Sequence, residues 1–273
     1  MNRLSQTERV RVVSALVEGC GINATSRMTG VSKPTILKLL ADLGRACYAC
    51  HDEHVRGLKC KRVQCDEIWS FVGAKAKNAS LEKQAEGWGD TWTWTALDAD
   101  SKLMVSYLVG QRGAQWANAF MGDVASRIDS RIQITTDGHR AYAEAVEGAF
   151  GMDVDYAMLI KLYGNDSFDT KYSPGECMGT QTAVMMGSPD PKHISTSFVE
   201  RQNLTMRMSM RRFTRLTNAH SKKLENHEAA IALHYMHYNY CRIHSTLRVT
   251  PAMEAGLAGH VWYIEELVGL LDA

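Results

Sequence analysis

No stretch of this 273-residue sequence approaches the ~20 consecutive apolar residues of a membrane span. The opening MNRLSQTERVRVV is charged where a secretory leader needs an apolar segment, which predicts a cytoplasmic protein with no membrane partner. Seven cysteines, an odd number at irregular spacing, do not make a disulfide framework in a chain this long, so reduced thiols are expected. There is no internal repeat and no low-complexity tract. Acidic residues are missing from one place: residues 201–223 hold seven Lys/Arg and no Asp or Glu. A second basic tract lies in residues 1–62, with eleven Lys/Arg against five acids. The net charge of +1 says little, but two basic tracts on an otherwise neutral chain point to local phosphate contact. The plainer alternative is a set of solvated helix faces, which interspersed acids would favour.

What is present is a chain 45% hydrophobic, enough for one main core and a smaller unit. Residues 4–18 read as a helix, followed by a short helix over Ala24–Met28, a turn at Gly30 and a helix over Lys33–Leu43. Ser32 suits the N-cap and Pro34 the first turn. Small Ser26 and Gly30, with apolar Val31 and Ile36, have the spacing of a helix-turn-helix. Thr25 and Thr29 stand where an apolar pair is usual, which keeps an ordinary helical hairpin as the alternative. Ile36, Leu39, Leu40, Leu43, Cys47, Cys50 and His54 continue one stripe. That makes Cys47 and Cys50 core residues, against a zinc site built from Cys47, Cys50, His51, His54, Cys60 and Cys65. The expected organisation is a helix-turn-helix domain over 1–45, a helical linker over 46–61, a main domain over 62–250 and a helical tail over 251–273.

From residue 62 the period shortens to two. Strands are expected over 62–72, 91–98, 103–110, 131–138 and 152–162, with helices over 114–128 and 140–150. This order predicts an α/β mixed sheet flanked by helices. Residues 163–192, rich in Gly, Pro, Asp and Ser, read as a loop insertion, although a structureless segment that long argues for function or misassignment. Helices follow over 197–216 and 224–240.

The strand RVQCDEIWSFVG carries Asp66 and Glu67 side by side. Alternation sends them to opposite faces, so Asp66 alone is expected in a site, with Glu67 paired elsewhere and tolerant of Glu67→Gln. Asp137 ends a strand in ITTDGHRAY. Carboxylates meeting across a sheet suit a hard cation such as Mg²⁺. A third can come from Glu200, whose rival reading is a capping box with Ser197. On that helix Glu200, Asn203, Arg207 and Arg211 share a polar face, continued by Arg215, as a metal ligand would lead into a phosphate track. Asp98 and Asp100 suit a hairpin turn, and His139 and His193 suit surface or packing positions.

CDEIWSFVGAK, TTDGHRAY and FVERQNLTMRMSMRRFTRLTNAHSKKLENHE resemble the three catalytic blocks of the insertion-sequence-one family of DDE transposases. The resemblance covers roughly residues 62–162 and 193–240, and YNYCRIHSTLRVTPAMEAGL is similar to the end of other integrase-type cores. It implies a ribonuclease-H-like fold with Asp66, Asp137 and Glu200 as a catalytic triad holding two Mg²⁺ or Mn²⁺ ions. It also implies a homo-oligomer that cleaves and joins DNA, with transposon inverted repeats and target DNA as partners. Ser32, Lys33, Thr35 and Lys38 would read the repeats, and Asn203, Arg207, Arg211 and Arg215 would follow the backbone. The alternatives are a nuclease that cuts without joining and a transposase-derived regulator that only binds DNA. Sixty-two residues separate Asp137 from Glu200, more than in the best-known members, and the excess falls in 163–192.

Overall fold

The computed structural model describes residues 4–163, 177–214 and 217–272. Three helices come first: α1 (Gln6–Val17), α2 (Ile22–Thr29) and α3 (Lys33–His54). Next are β1 (Arg62–Val72), α4 (Leu81–Ala85), β2 (Gly89–Asp98) and β3 (Met104–Gly110). Then α5 (Ala114–Ser126), β4 (Ile132–Thr136), α6 (Ala141–Phe150), β5 (Val154–Tyr163) and β6 (Cys177–Met186) complete the sheet. Helices α7 (Ser197–Ser209), α8 (Leu224–Tyr240), α9 (Pro251–Glu254) and α10 (Ile264–Gly269) close the chain. No helix among the described residues is long and apolar enough to cross a membrane.

The strand order is β3-β2-β1-β4-β5-β6. β1, β4 and β5 run parallel, while β2 is antiparallel to β1 and to β3, and β6 is antiparallel to β5. The fold is a ribonuclease-H-like α/β sheet covered by helices. Cross-strand partners share a face. Glu67 pairs with Trp94, whose ring lies 5.9 Å from Phe120 of α5 and 5.4 Å from Tyr142 of α6, so that face belongs to α5 and α6. Asp66 pairs with Thr95, which pairs in turn with Tyr107. Tyr107 stacks 4.9 Å from Tyr235 of α8 and 5.0 Å from His51 of α3, so α3 and α8 cover the other face.

Two expectations about organisation change. The α3 helix runs unbroken past residue 45, and its 46–54 portion covers the sheet rather than linking domains. Gly44 lies so close to α8 that a Cβ there would sit 2.4 Å from the Cα of Ala229. One hydrophobic core joins Val12 and Val13 of α1 to the sheet and to Leu267 and Val268 of α10, and Arg9 pairs with Asp272 at 3.2 Å. Helices α1 and α3 therefore share one core with the sheet. Thr25 and Thr29 are accommodated because each hydroxyl donates to a carbonyl four residues back. The stripe from Ile36 to Cys50 is buried, with His51 inside and His54 exposed, one residue off the expected register. The second change is β6. Part of the expected 163–192 loop is an edge strand, exposed on both faces, so it carries no burial alternation to read. Residues 164–176 of that expected loop lie outside the described residues.

The expected helix over 197–216 also ends early, at Ser209. Met210 is extended, and the chain turns so that Phe213 packs 5.2 Å from His227 and Arg212 donates to Ser221 Oγ and Asn226 O. His227 lies between Ser70 Oγ (3.1 Å) and Ser221 Oγ (2.9 Å). Burial, helped by the Arg212 charge, lowers its pKa from 6.5 to about 3, and burial lowers that of His234 likewise and that of His51 to about 4. These groups are depressed in the fold, so their stability is present above the unfolded value near 6.5 and is lost as pH falls towards the folded values. In urea unfolding these histidines should contribute a loss of stability as pH falls below 6.5, each adding up to about 1.4 kcal/mol per pH unit. His227→Gln should remove one such increment; an unchanged acid slope in that variant would contradict the assignment.

Candidate active site

The register of two parallel strands builds the centre. The β1–β4 pairing ends at Cys65 with Thr136, so Asp66 and Asp137 are the next residues on adjacent strands. Asp137 turns the chain, its Oδ1 accepting from the His139 amide at 3.0 Å. Asp66 is held by the Glu67 amide on Oδ1 (2.9 Å) and by Asn203 Nδ2 on Oδ2 (2.8 Å). Burial, then the Asp137 charge, pushes its pKa up to about 6. Asn203 lies on α7, is itself buried and lines the cleft, where it positions Asp66.

Glu67 departs from expectation. It belongs to the opposite face by alternation, yet oxygens of Asp66, Glu67 and Asp137 all lie within 4.8 Å of one another. Because β4 stops at Thr136, that flank of β1 is open, and Glu67 reaches Asp137 through the gap. The Glu67 side chain is only 2% exposed and its Oε1 has no hydrogen bond. Arg112 Nε lies 3.7 Å away, and His139 Nε2, also without a hydrogen bond, 3.6 Å away. Burial, then the Asp137 charge, raises the Glu67 pKa to about 8. A buried carboxylate oxygen without a hydrogen bond is costly, and an oxygen-ligated cation would relieve it.

Glu200 faces the same cleft, of about 930 Å³, but stands outside that compact trio. Lys161 Nζ of β5 approaches its Oε2 at 2.5 Å, and Thr196 Oγ1 donates to its Oε1. The capping-box reading falls away. Thr196, not Ser197, is the N-cap, and Gln64 of β1 caps the helix by accepting from the amides of Phe198 (2.8 Å) and Val199 (3.1 Å) with Oε1. Gln64→Ala should therefore cost about 1–3 kcal/mol in urea unfolding, while Ser197→Ala should be close to neutral. Equal effects from the two would contradict this capping scheme.

Arg207 lines the cleft, as do Arg112, Arg140 and Lys161. Arg112, Lys161 and Gln64 were not expected from sequence. The one available signal was Lys161, a lone cation in the apolar run of β5. Arg211 is not on the polar face of α7, which ends before it. It lies in a second groove, of about 770 Å³, with Arg27, Lys33, Arg212, Lys222 and Lys223, and among the described residues no acid lines that groove. Lys33 and Lys38 are exposed at the start of α3, where the hydroxyls of Ser32 and Thr35 bond each other at 2.8 Å. Arg215 lies outside the described residues. His193 pairs with Arg62 and Asp190, away from the cleft, and Asp98 caps its hairpin turn. Alanine at Arg27, Lys33, Arg211 and Lys223 together should lower the slope of log K for duplex DNA against log salt by about 0.9 per residue. Lys59→Ala with Lys77→Ala should leave the slope unchanged.

No protein-family model and no curated protein matches the sequence. Among solved structures, the chain is similar to a piggyBac transposase synaptic complex with hairpin DNA, at 10% identity and a TM-score of 0.43, covering 97% of this chain and 70% of that one. A Mos1 transposase paired-end complex with left transposon end gives 12% identity and 0.24, over 57% and 60% of the two chains. The Mos1 strand transfer complex gives 10% and 0.26, over 85% and 78%. Likenesses this distant assign neither a family nor an activity.

Proposed function

We propose that the protein is a DNA transposase of the insertion-sequence-one type, which cleaves element ends and transfers the freed strand to target DNA as a homo-oligomer. The observation that carries this reading is the register pair: Asp66 and Asp137 side by side at the end of β4, facing Glu200 across a cleft lined by arginine and lysine. The donor set fits a hard cation, since it is all oxygen, burial and the Asp137 charge raise Asp66 and Glu67 towards neutrality, and Glu67 Oε1 is orphaned. Two Mg²⁺ or Mn²⁺ ions held by Asp66, Asp137 and Glu200, with Glu67 beside them, would supply activation of the attacking oxygen and stabilisation of the leaving one. Asn203 keeps Asp66 aimed into the cleft. Arg140 and Arg207 face the path of the backbone phosphate. The all-basic groove, with Ser32, Lys33, Thr35 and Lys38 at its helix-turn-helix side, would hold and read the flanking duplex.

The test is purified protein with labelled inverted-repeat duplex and Mg²⁺ or Mn²⁺, scored for a nick exposing a 3′-OH and for joined product. Both products support the transposase reading. Nicks without joining would make it a nuclease, and binding with neither product would make it a DNA-binding regulator.

A further inference from the structure

The candidate cleft holds four acids, Asp66, Glu67, Asp137 and Glu200, and four cations, Arg112, Arg140, Lys161 and Arg207. Its formal charge is therefore balanced without any metal. Two of those cations sit directly on the carboxylates. Lys161 holds Glu200 at 2.5 Å, with both side chains about one third exposed. Arg112 reaches Glu67 Oε1 at 3.7 Å and Asp137 Oδ2 at 3.8 Å, its own side chain 43% exposed.

We propose that Arg112 and Lys161 are resident counterions of the carboxylate site, which a divalent cation displaces and which then engage backbone phosphate, so that metal and DNA reinforce each other's binding. The inference rests on the proposed metal reading. A divalent cation on Glu200 competes with the Lys161 ammonium for the same carboxylate charge and lone pairs. The released group is left among extra positive charge, and its best partner is a phosphate at the cleft mouth. Arg112 is held by attraction alone, beyond hydrogen-bond distance, so its release forfeits little. Both side chains are long, flexible and partly exposed, and can swing without disturbing the core. Linkage then requires that DNA raise metal affinity by the same factor that metal raises DNA affinity.

The test is the rise in melting temperature with Mn²⁺, with and without a mixed-sequence duplex, for wild type, Lys161→Met, Arg112→Met, Lys161→Arg, Arg112→Lys, Asp66→Asn and Lys77→Met. Without DNA, Lys161→Met and Arg112→Met should bind Mn²⁺ about five-fold or more tightly than wild type, and the duplex should enhance their Mn²⁺ affinity by a smaller factor. Lys161→Arg and Arg112→Lys keep the charge and should return wild-type behaviour, as should Lys77→Met. Unchanged or weakened Mn²⁺ binding in both methionine variants, with Asp66→Asn losing the shift, overturns the counterion role and leaves the metal site standing. An Asp66→Asn protein with a wild-type shift overturns the metal reading itself. Metal-free melts identify any variant that fails to fold, and the charge-conserving pair then carries the comparison.

Discussion

Asp66→Asn and Asp137→Asn are each expected to reduce strand cleavage by about 10³-fold or more while duplex binding persists. The substitutions keep shape but remove an anionic oxygen from a site where developing charge is met by fixed groups, and loss of one such group costs roughly 10²–10³ in rate. Losing the cation that depends on it costs further. Asp66→Asn also loses one of two hydrogen bonds, because the Glu67 amide and Asn203 Nδ2 donate to different Asp66 oxygens and an amide keeps only one acceptor. DNA binding should survive because the basic groove is lined by different residues. Glu200→Gln should be inactive as well, since glutamine supplies no charge to ligate a cation, and the helix start is held by Gln64 rather than by this carboxylate. Glu67→Gln is no longer a neutral control. Its oxygen belongs to the Asp66–Asp137 cluster, so activity should fall by about ten-fold, while the metal-free protein becomes more stable on losing a buried, unsatisfied carboxyl. Gel-resolved cleavage of labelled duplex, beside a binding titration, gives the result directly. Near wild-type cleavage by Asp137→Asn would remove that residue from the mechanism.

Gly44→Ala is expected to cost about 2–4 kcal/mol, although alanine is the better helix former by about 1 kcal/mol. The added methyl would lie 2.4 Å from the Cα and Cβ of Ala229, and neither backbone can yield without moving a whole helix. The α3–α8 crossing ties the N-terminal helices to one cover of the sheet, so the loss should appear as cooperative unfolding of the entire chain. Gly30 is the contrast. It has a φ of +72° and nothing within 4 Å of an added Cβ, so Gly30→Ala should cost only the backbone strain, about 1 kcal/mol. Urea midpoints of the two variants separate steric from conformational cost, and a Gly44→Ala protein as stable as wild type would contradict so close a crossing. The same packing makes removal of residues 1–45 a poor probe of DNA recognition, because the cut would open the shared core.

Local pattern alone located β1 to β5, α5, α6 and α8 and the buried stripe of α3, and it put Asp137 at a strand end. These features follow from side-chain periodicity, which each segment carries in its own residues. Sequence alone also singled out Asp66 and Glu200, but it could not say what each carboxylate touches. That Glu67 joins Asp66 was decided by where a different strand stops: β4 ends at Thr136 and leaves the flank of β1 open. That Glu200 pairs with Lys161 while Gln64 caps α7 was decided by strands and a helix meeting across sequence separations of 39 and 134. The β6 edge strand was silent because neither of its faces is buried, so no alternation was written into it. The spacing of a helix-turn-helix could be read in residues 22–43, but the packing of these helices on the main body, through the shared core and the close approach of Gly44 to Ala229, could not. Periodicity records which side of an element is buried; only the packed chain fixes what it is buried against.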